Sequence, residues 1–490
     1  MYFNRVGFRN EKRTRWIPLQ HLFKNFSYLT LADVGSRVFG FFATAYLART
    51  LGVEKFGLLN LGFAFLSYGT LAMNPGIQLF ATRAVTQQNV SLHEFVNDVL
   101  SLRFTLAVIA MFVFVCVAFV LFSYEVTFLV FLFSFSLFPV ALLLEWYFQA
   151  NEQIALIGIS RTLSQATYLV LVLLLVTSAE TISYAAVAWL VSSVVAALLL
   201  FIPYRRKHSS FIFRWNARSL FQKNGRGKEI LRNAFPIGFG TWLAQLGVHF
   251  PPLVIAYVLS EKEVGFFSAA YKIVFLFLLF DRVFFFLFYP VIIRTYRESA
   301  ERLKRTLSLS LKIIITLLLP ICFGVMFLSP KIIMFIYGSG YANAVPLLQI
   351  LIWFVLFTVM HGVFTVGFIG IGKETLFSKI MLVGTIVQCA LVVAGTLLFS
   401  TNGSALGFVA GEFCSMSLMM MQFRKVIRVE FFRFFLRPLA AAVAMVAILS
   451  VTNERLLWEQ IMYGIIAFTV ALTVVQGIKK EDIEAVKHSF

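Results

Sequence analysis

Apolar residues along this chain come in long, almost unbroken runs, as in Leu106 to Phe122 and Ile313 to Leu328. A helix needs about 20 such residues to cross ~30 Å of hydrocarbon, whereas a membrane strand would alternate apolar and polar at every second position. Divided at charged residues, glycines and prolines, the pattern predicts fourteen helical spans. They fall at roughly 27–48, 56–78, 99–122, 127–148, 157–177, 182–203, 234–259, 264–290, 306–328, 343–370, 376–399, 403–422, 435–452 and 459–477. The fold class expected is therefore an all-α polytopic membrane protein of about 14 transmembrane helices.

Composition narrows the classes further. Of 490 residues, 60% are hydrophobic and 13% charged, against about 45–50% and about 25% in soluble domains. Soluble, disordered, collagenous and disulfide-scaffold readings fall away. Cys116, Cys322, Cys389 and Cys414 all sit in apolar runs without CxxC spacing, so they read as packing residues;. The six histidines show no metal-binding spacing, and no metal or cofactor is expected. The basic, aromatic first 26 residues lack the compact apolar run of a cleavable signal peptide;.

Charge sets the orientation. With the N-terminus in the cytoplasm, 31 of the 42 Lys and Arg fall in cytoplasmic segments and only five outside, a strong positive-inside bias. Both termini are thus expected to be cytoplasmic. The net charge of +19 reads as topology determinants beside anionic headgroups, and no nucleic-acid partner is expected. The longest inside loop lies near the chain midpoint, and no soluble catalytic domain is attached on either side. The organisation expected is a basic arm (1–26), a first bundle (27–203), a basic linker (204–233), a second bundle (234–422), then two further spans and a tail (423–490).

A short internal match supports the halves. Ala48–Gly57 aligns with Ala256–Gly265 at an offset of 208, with Ala, Leu and Gly coinciding. Each segment is a charged turn between the first and second spans of its half. Such parallel repeats are related by an axis along the membrane normal and enclose a cavity between them, which is the geometry of alternating access.

Those same residues carry a family resemblance. The stretch Leu47–Asn60 (LARTLGVEKFGLLN), followed by Asn74–Arg83 (NPGIQLFATR), resembles the N-terminal signature of the Wzx-type polysaccharide-biosynthesis flippases. Ser329–Tyr341 (SPKIIMFIYGSGY) resembles the link between their ninth and tenth spans. The resemblance implies a MATE-like fold of the multidrug/oligosaccharidyl-lipid/polysaccharide superfamily, and a flippase rather than an enzyme. Its cargo would be an undecaprenyl-pyrophosphate-linked oligosaccharide repeat unit, of O-antigen, capsule or exopolysaccharide. This would cross from the cytoplasmic to the periplasmic leaflet of a bacterial inner membrane, driven by a proton or sodium ion. Membrane lipids and other polysaccharide assembly proteins would be partners. One rival is a membrane-embedded polymerase or glycosyltransferase of the same pathway, but it would need charged residues on a sizeable periplasmic loop, and these loops are short and nearly uncharged. The other rival is a drug/cation antiporter of the same fold, which would not favour a basic cavity.

Ionisable residues at membrane depth cost ~2.5–3.5 kcal/mol or more each and usually face a cavity or a partner. Arg37 lies near the middle of the first span, with Asp33 one turn before it, the better-oriented i, i+4 pair;. Arg37, Lys272 and Arg83 are the candidate substrate-binding residues, because cations in a low-dielectric recess attract a pyrophosphate strongly. Asp33 and Glu412 are the candidate ion-coupling residues. Glu145, Asp281 and Arg282 read as interfacial residues near span ends, where long side chains snorkel. Asp98 is the expected partner of Arg103, and His249 and His361 read as packing residues or cavity lining. Gly367–Lys373 mimics a phosphate-binding GxxxxGK loop, but Glu374 follows it and no strand precedes it, so nucleotide binding is excluded;.

Overall fold

The computed structural model describes residues 19–87, 91–218, 222, 225–370, 372–425 and 435–475. Most of the basic arm, the stretch 426–434 and the tail beyond 475 lie outside the described residues, and with them much of the charge used to orient the chain.

The first half consists of α1 (Leu19–Met73), α2 (Ile77–Thr86), α3 (Leu92–Leu121), α4 (Tyr124–Ser134), α5 (Leu137–Ala141), α6 (Glu145–Ala150), α7 (Ile154–Leu175) and α8 (Ile182–Lys207). The second half holds α9 (Arg226–Val258), α10 (Glu261–Phe277), α11 (Leu279–Glu298), α12 (Ala300–Tyr337), α13 (Ala344–Leu351), α14 (Trp353–Gly370) and α15 (Glu374–Arg424). Two last helices, α16 (Leu436–Val451) and α17 (Leu457–Val474), pack on α12.

Among the described residues, ten helices are long and apolar enough to cross a membrane, or eleven if the bent pair 226–240 and 242–258 is one span. The difference from fourteen lies in how the chain turns. Helix α1 has 55 residues and would measure about 80 Å if straight, far beyond the bilayer core. It breaks at Gly52 (φ 70, ψ 174), a left-handed position that glycine adopts without a Cβ penalty. Helix α15 breaks at Phe399 and Ser400 and folds back on itself. A Cβ on Gly395 would stand 2.1 Å from Gly403 O, and one on Gly407 2.2 Å from Leu391 O. Glycines let the two arms of this hairpin touch backbone to backbone, as small residues do between membrane helices. At 16 residues, α16 is simply short. Every predicted run falls on a helix or helical segment.

Segments that the charge bias assigns to one side meet at one end. Arg49 donates to the carbonyls of Phe335 and Ile336, Tyr341 OH donates to Ala48 O at 2.8 Å, and Lys331 Nζ donates to Arg455 O at 2.8 Å. At the opposite end the start of the expected linker is tied down. Asn97 and the Arg214 backbone exchange hydrogen bonds of 3.0 and 2.8 Å, and Trp215 Nε1 donates to Thr105 Oγ1 at 3.0 Å.

The halves touch at both ends. At the Gly52 end, a Cβ on Gly57 would lie 1.8 Å from Glu261 O and one on Gly265 2.1 Å from Val53 O. Gly57 and Gly265, and likewise Val53 and Glu261, are separated by the same 208 residues that align the repeat. The contact is therefore pseudo-two-fold, and no side chain fits in it. At the other end Gly76 packs on Gly238 and Ala234 O, a pairing without that symmetry. Of the cysteines Cys322 is buried, but Cys116 is exposed on the helix surface.

Candidate functional site

Between the halves lies a cavity of about 600 Å³. The first arm of α1 lines it from Asp33 to Leu47 and the second from Phe56 to Thr70, opposite Lys272, Phe275 and Arg282 of the second half. Both arms reach one cavity only because Gly52 breaks the helix. Among the described residues six charged side chains line it: Asp33, Glu145, Arg37, Arg161, Lys272 and Arg282. Four cations against two carboxylates leave it net positive.

Asp33 is the hub. It is buried, and Arg282 Nη1 lies 2.7 Å from both its oxygens. Arg37 Nε stands 3.6 Å from it and Arg161 Nη1 3.9 Å. Arg161 also grips Glu145 in a two-point pair, 2.8 and 2.7 Å, the geometry that guanidinium and carboxylate favour. Arg37 donates from Nη1 to Phe275 O at 2.9 Å and lies 4.8 Å over the Phe275 ring. The expected Asp33–Arg37 pair exists but is not exclusive, since one carboxylate serves three guanidiniums. Arg37 and Arg282 both bridge the halves.

Lys272 is different. Among the described residues no hydrogen-bond acceptor or carboxylate pairs with it; its Nζ lies 5.5 Å from the Phe63 ring. An ammonium held over an aromatic face, with unused donors turned to a cavity, is set up to receive an anion.

The structure thus brings Arg37, Lys272 and Asp33 together. Arg83 is exposed on α2 and does not line the cavity. Glu412 lies on α15 away from the cavity, where its Oε1 meets His361 Nδ1 at 2.8 Å. Three expectations change. Glu145 and Arg282 line the cavity instead of the interface, because each has a partner of opposite sign at its own depth. Asp98 pairs with Arg226 at 3.3 Å. Arg103 instead donates to the carbonyls of Leu143 and Val140, both at 2.9 Å, at the break between α5 and α6. Arg161, one of the charges that the positive-inside count places in the cytoplasm, lines the cavity; its sequence signal is a carboxylate and a guanidinium at similar depth on successive segments.

The polysaccharide biosynthesis protein family model matches residues 22–296 of the chain. The chain belongs to this family. All six charged cavity residues fall inside the matched region. The Staphylococcus aureus capsular polysaccharide biosynthesis protein CapF is 23% identical over 404 residues, covering 80% of this chain and 97% of CapF. Among solved structures, the lipid II flippase MurJ in an inward closed conformation superposes with a TM-score of 0.75 at 14% identity, covering 91% of this chain and 98% of MurJ. An inward-facing multidrug resistance MATE transporter of the MOP superfamily gives 0.63 at 17% identity, covering 80% and 94%. The fold is MATE-like, and the protein is a multi-pass membrane protein.

Proposed function

We propose that this protein flips a polyprenyl-pyrophosphate-linked oligosaccharide from the cytoplasmic to the periplasmic leaflet of a bacterial inner membrane, as a transporter and not as an enzyme. Lys272 carries the reading. Among the described residues it is an ammonium without a counterion, in a cavity lined by two more cations than carboxylates. A pyrophosphate headgroup supplies the missing negative charge, in a recess where each Coulombic contact counts for more than in water. Arg37 and Arg282 complete the basic wall, and Arg83 has no part in the headgroup site. Family membership and the names of CapF and MurJ, the one tied to capsular polysaccharide and the other to lipid II, support a glycan cargo. A positively charged cavity speaks against a cationic drug.

Transport proceeds by alternating access, with the Gly57–Gly265 contact closing the periplasmic end and both termini in the cytoplasm. Glu412 serves ion coupling. Asp33, bound to Arg282 across the halves, registers the coupled ion through that bridge and does not bind it alone.

Arg37→Ala and Lys272→Ala should each abolish surface glycan display in a strain depending on this gene, with inserted protein at wild-type level by immunoblot. In proteoliposomes the same variants should lose translocation of a fluorescent polyprenyl-pyrophosphate glycan. Normal translocation by both would overturn the headgroup site.

A further inference from the structure

His361 on α14 is buried, and its two ring nitrogens have different surroundings. Nδ1 meets Glu412 Oε1 of α15 at 2.8 Å, whereas Nε2 is buried with no hydrogen-bond partner among the described residues. Beside it stands Asp281, in the first turn of α11. Asp281 Oδ1 lies only 2.8 Å from where a Cβ on Gly362 would be, so the carboxylate presses on α14 next to His361. Among the described residues Asp281 makes no hydrogen bond or ion pair, and its charge acts on His361, Glu412 and Arg37.

We propose that His361, Glu412 and Asp281 form a proton-binding site that governs the Asp33–Arg282 bridge between the two halves. The proposal rests on the reading that these halves move against each other during transport, and it names the coupled ion and its seat. With Glu412 ionised, the hydrogen of the neutral imidazole sits on Nδ1 and Nε2 keeps its lone pair. A proton arriving at Nε2 makes an imidazolium that is bonded to Glu412 through Nδ1 and interacts with the charge of Asp281. The new N–H is buried, must find an acceptor, and Asp281 has none of its acceptor positions taken.

Asp281 and Arg282 are consecutive on α11, about 100° apart around the helix. One faces α14, and the other reaches across to hold both oxygens of Asp33. Drawing Asp281 onto His361 therefore turns the first helical turn that carries Arg282, and loss of the proton releases it. Protonation and the inter-half bridge are coupled through a single turn of backbone.

The groups packed around His361 are few. Glu412 comes from α15, Asp281 from α11, and α10 adds the Tyr271 hydroxyl, which has no hydrogen-bond partner among the described residues and interacts with the Glu412 charge. Helices α12 and α13 bring the Cys322 thiol and the Gln349 amide, both donating to backbone carbonyls. On α12, Lys331 is bonded to Gln460 and Lys312 is itself engaged.

The test uses the full chain in lipid nanodiscs, native cysteines replaced, with spin labels at Lys207→Cys on α8 and Arg305→Cys on α12, both exposed. Pulsed EPR would report the distance between halves at about pH 5.5 and about pH 8.5, either side of the ordinary histidine range. The proposal expects a shift in the distance distribution between the two pH values. The shift should vanish in His361→Gln and in Glu412→Gln, and persist in His249→Gln. Asp281→Asn, which leaves the His361–Glu412 bond in place, should lose it too and keeps the test decisive if the histidine variant does not fold. A parent protein indifferent to pH would overturn the proposal, as would a shift that survives His361→Gln or that sodium at constant pH reproduces in that variant. No glycan is involved, so such a failure leaves the reading of the cargo standing.

Discussion

Two of the contacts between the halves of this protein are built on opposite principles. At the Gly52 end Gly57 and Gly265 meet backbone to backbone, each glycine against a carbonyl of the other half, and the pairs are repeat-related. At the cavity, Arg282 and Arg37 cross to Asp33 and to Phe275 O through charged side chains. None of these charges has a repeat counterpart. The residues 208 positions away from Asp33, Arg37, Lys272 and Arg282 are Thr241, Gln245, Ala64 and Asn74. Duplication therefore accounts for the frame and for its steric closure, while the chemistry stands on one copy only. That is how function is grafted on a fold.

The comparison can be broken at its steric side first. Gly57→Leu places a side chain where even a Cβ would lie 1.8 Å from a backbone carbonyl, so the closed end cannot form. Transport should fall to background in the proteoliposome assay, and EPR should show that end held apart. Gly340→Ala, at a glycine with nothing within 4 Å, should behave as wild type. The electrostatic side comes next. Asp33→Asn leaves three guanidiniums facing one another around a lost hub, and because those side chains are partly exposed the cost stays below the about 3–5 kcal/mol of a fully buried pair;. The variant should show a clearly lower melting temperature in detergent. Arg282→Gln should cost less, ~1–3 kcal/mol, because Arg37 and Arg161 still face the carboxylate and the Arg282 side chain is partly exposed. Arg83→Ala should change neither stability nor translocation; a transport loss there would place substrate outside the cavity.

These expected sizes mirror what could be read before the structure. Span positions were legible because runs of apolar residues answer to the bilayer alone;. The helix breaks at Gly52 and at Phe399–Ser400 are consistent with predicted span boundaries, although the glycine-lined hairpin contact was invisible. In the cavity, Arg37, Asp33 and Lys272 stood out because depth along one helix follows from counting residues. Arg282, Arg161 and Glu145 did not, because their depth depends on broken, tilted segments such as α5–α6 and the α10–α11 junction. His361 was read as packing because its partner sits 51 residues away on another helix, and no local spacing betrays such a pair.

Equilibrium binding shows whether surplus positive charge in this cavity holds a pyrophosphate. Purified protein in nanodiscs would be titrated with undecaprenyl pyrophosphate and, separately, with the uncharged undecaprenol. The wild type should clearly prefer the pyrophosphate, and Lys272→Gln should lose at least about tenfold of that preference, ~1.4 kcal/mol. Equal affinity for the charged and uncharged lipids, or a Lys272→Gln variant that binds pyrophosphate like the wild type, would contradict it.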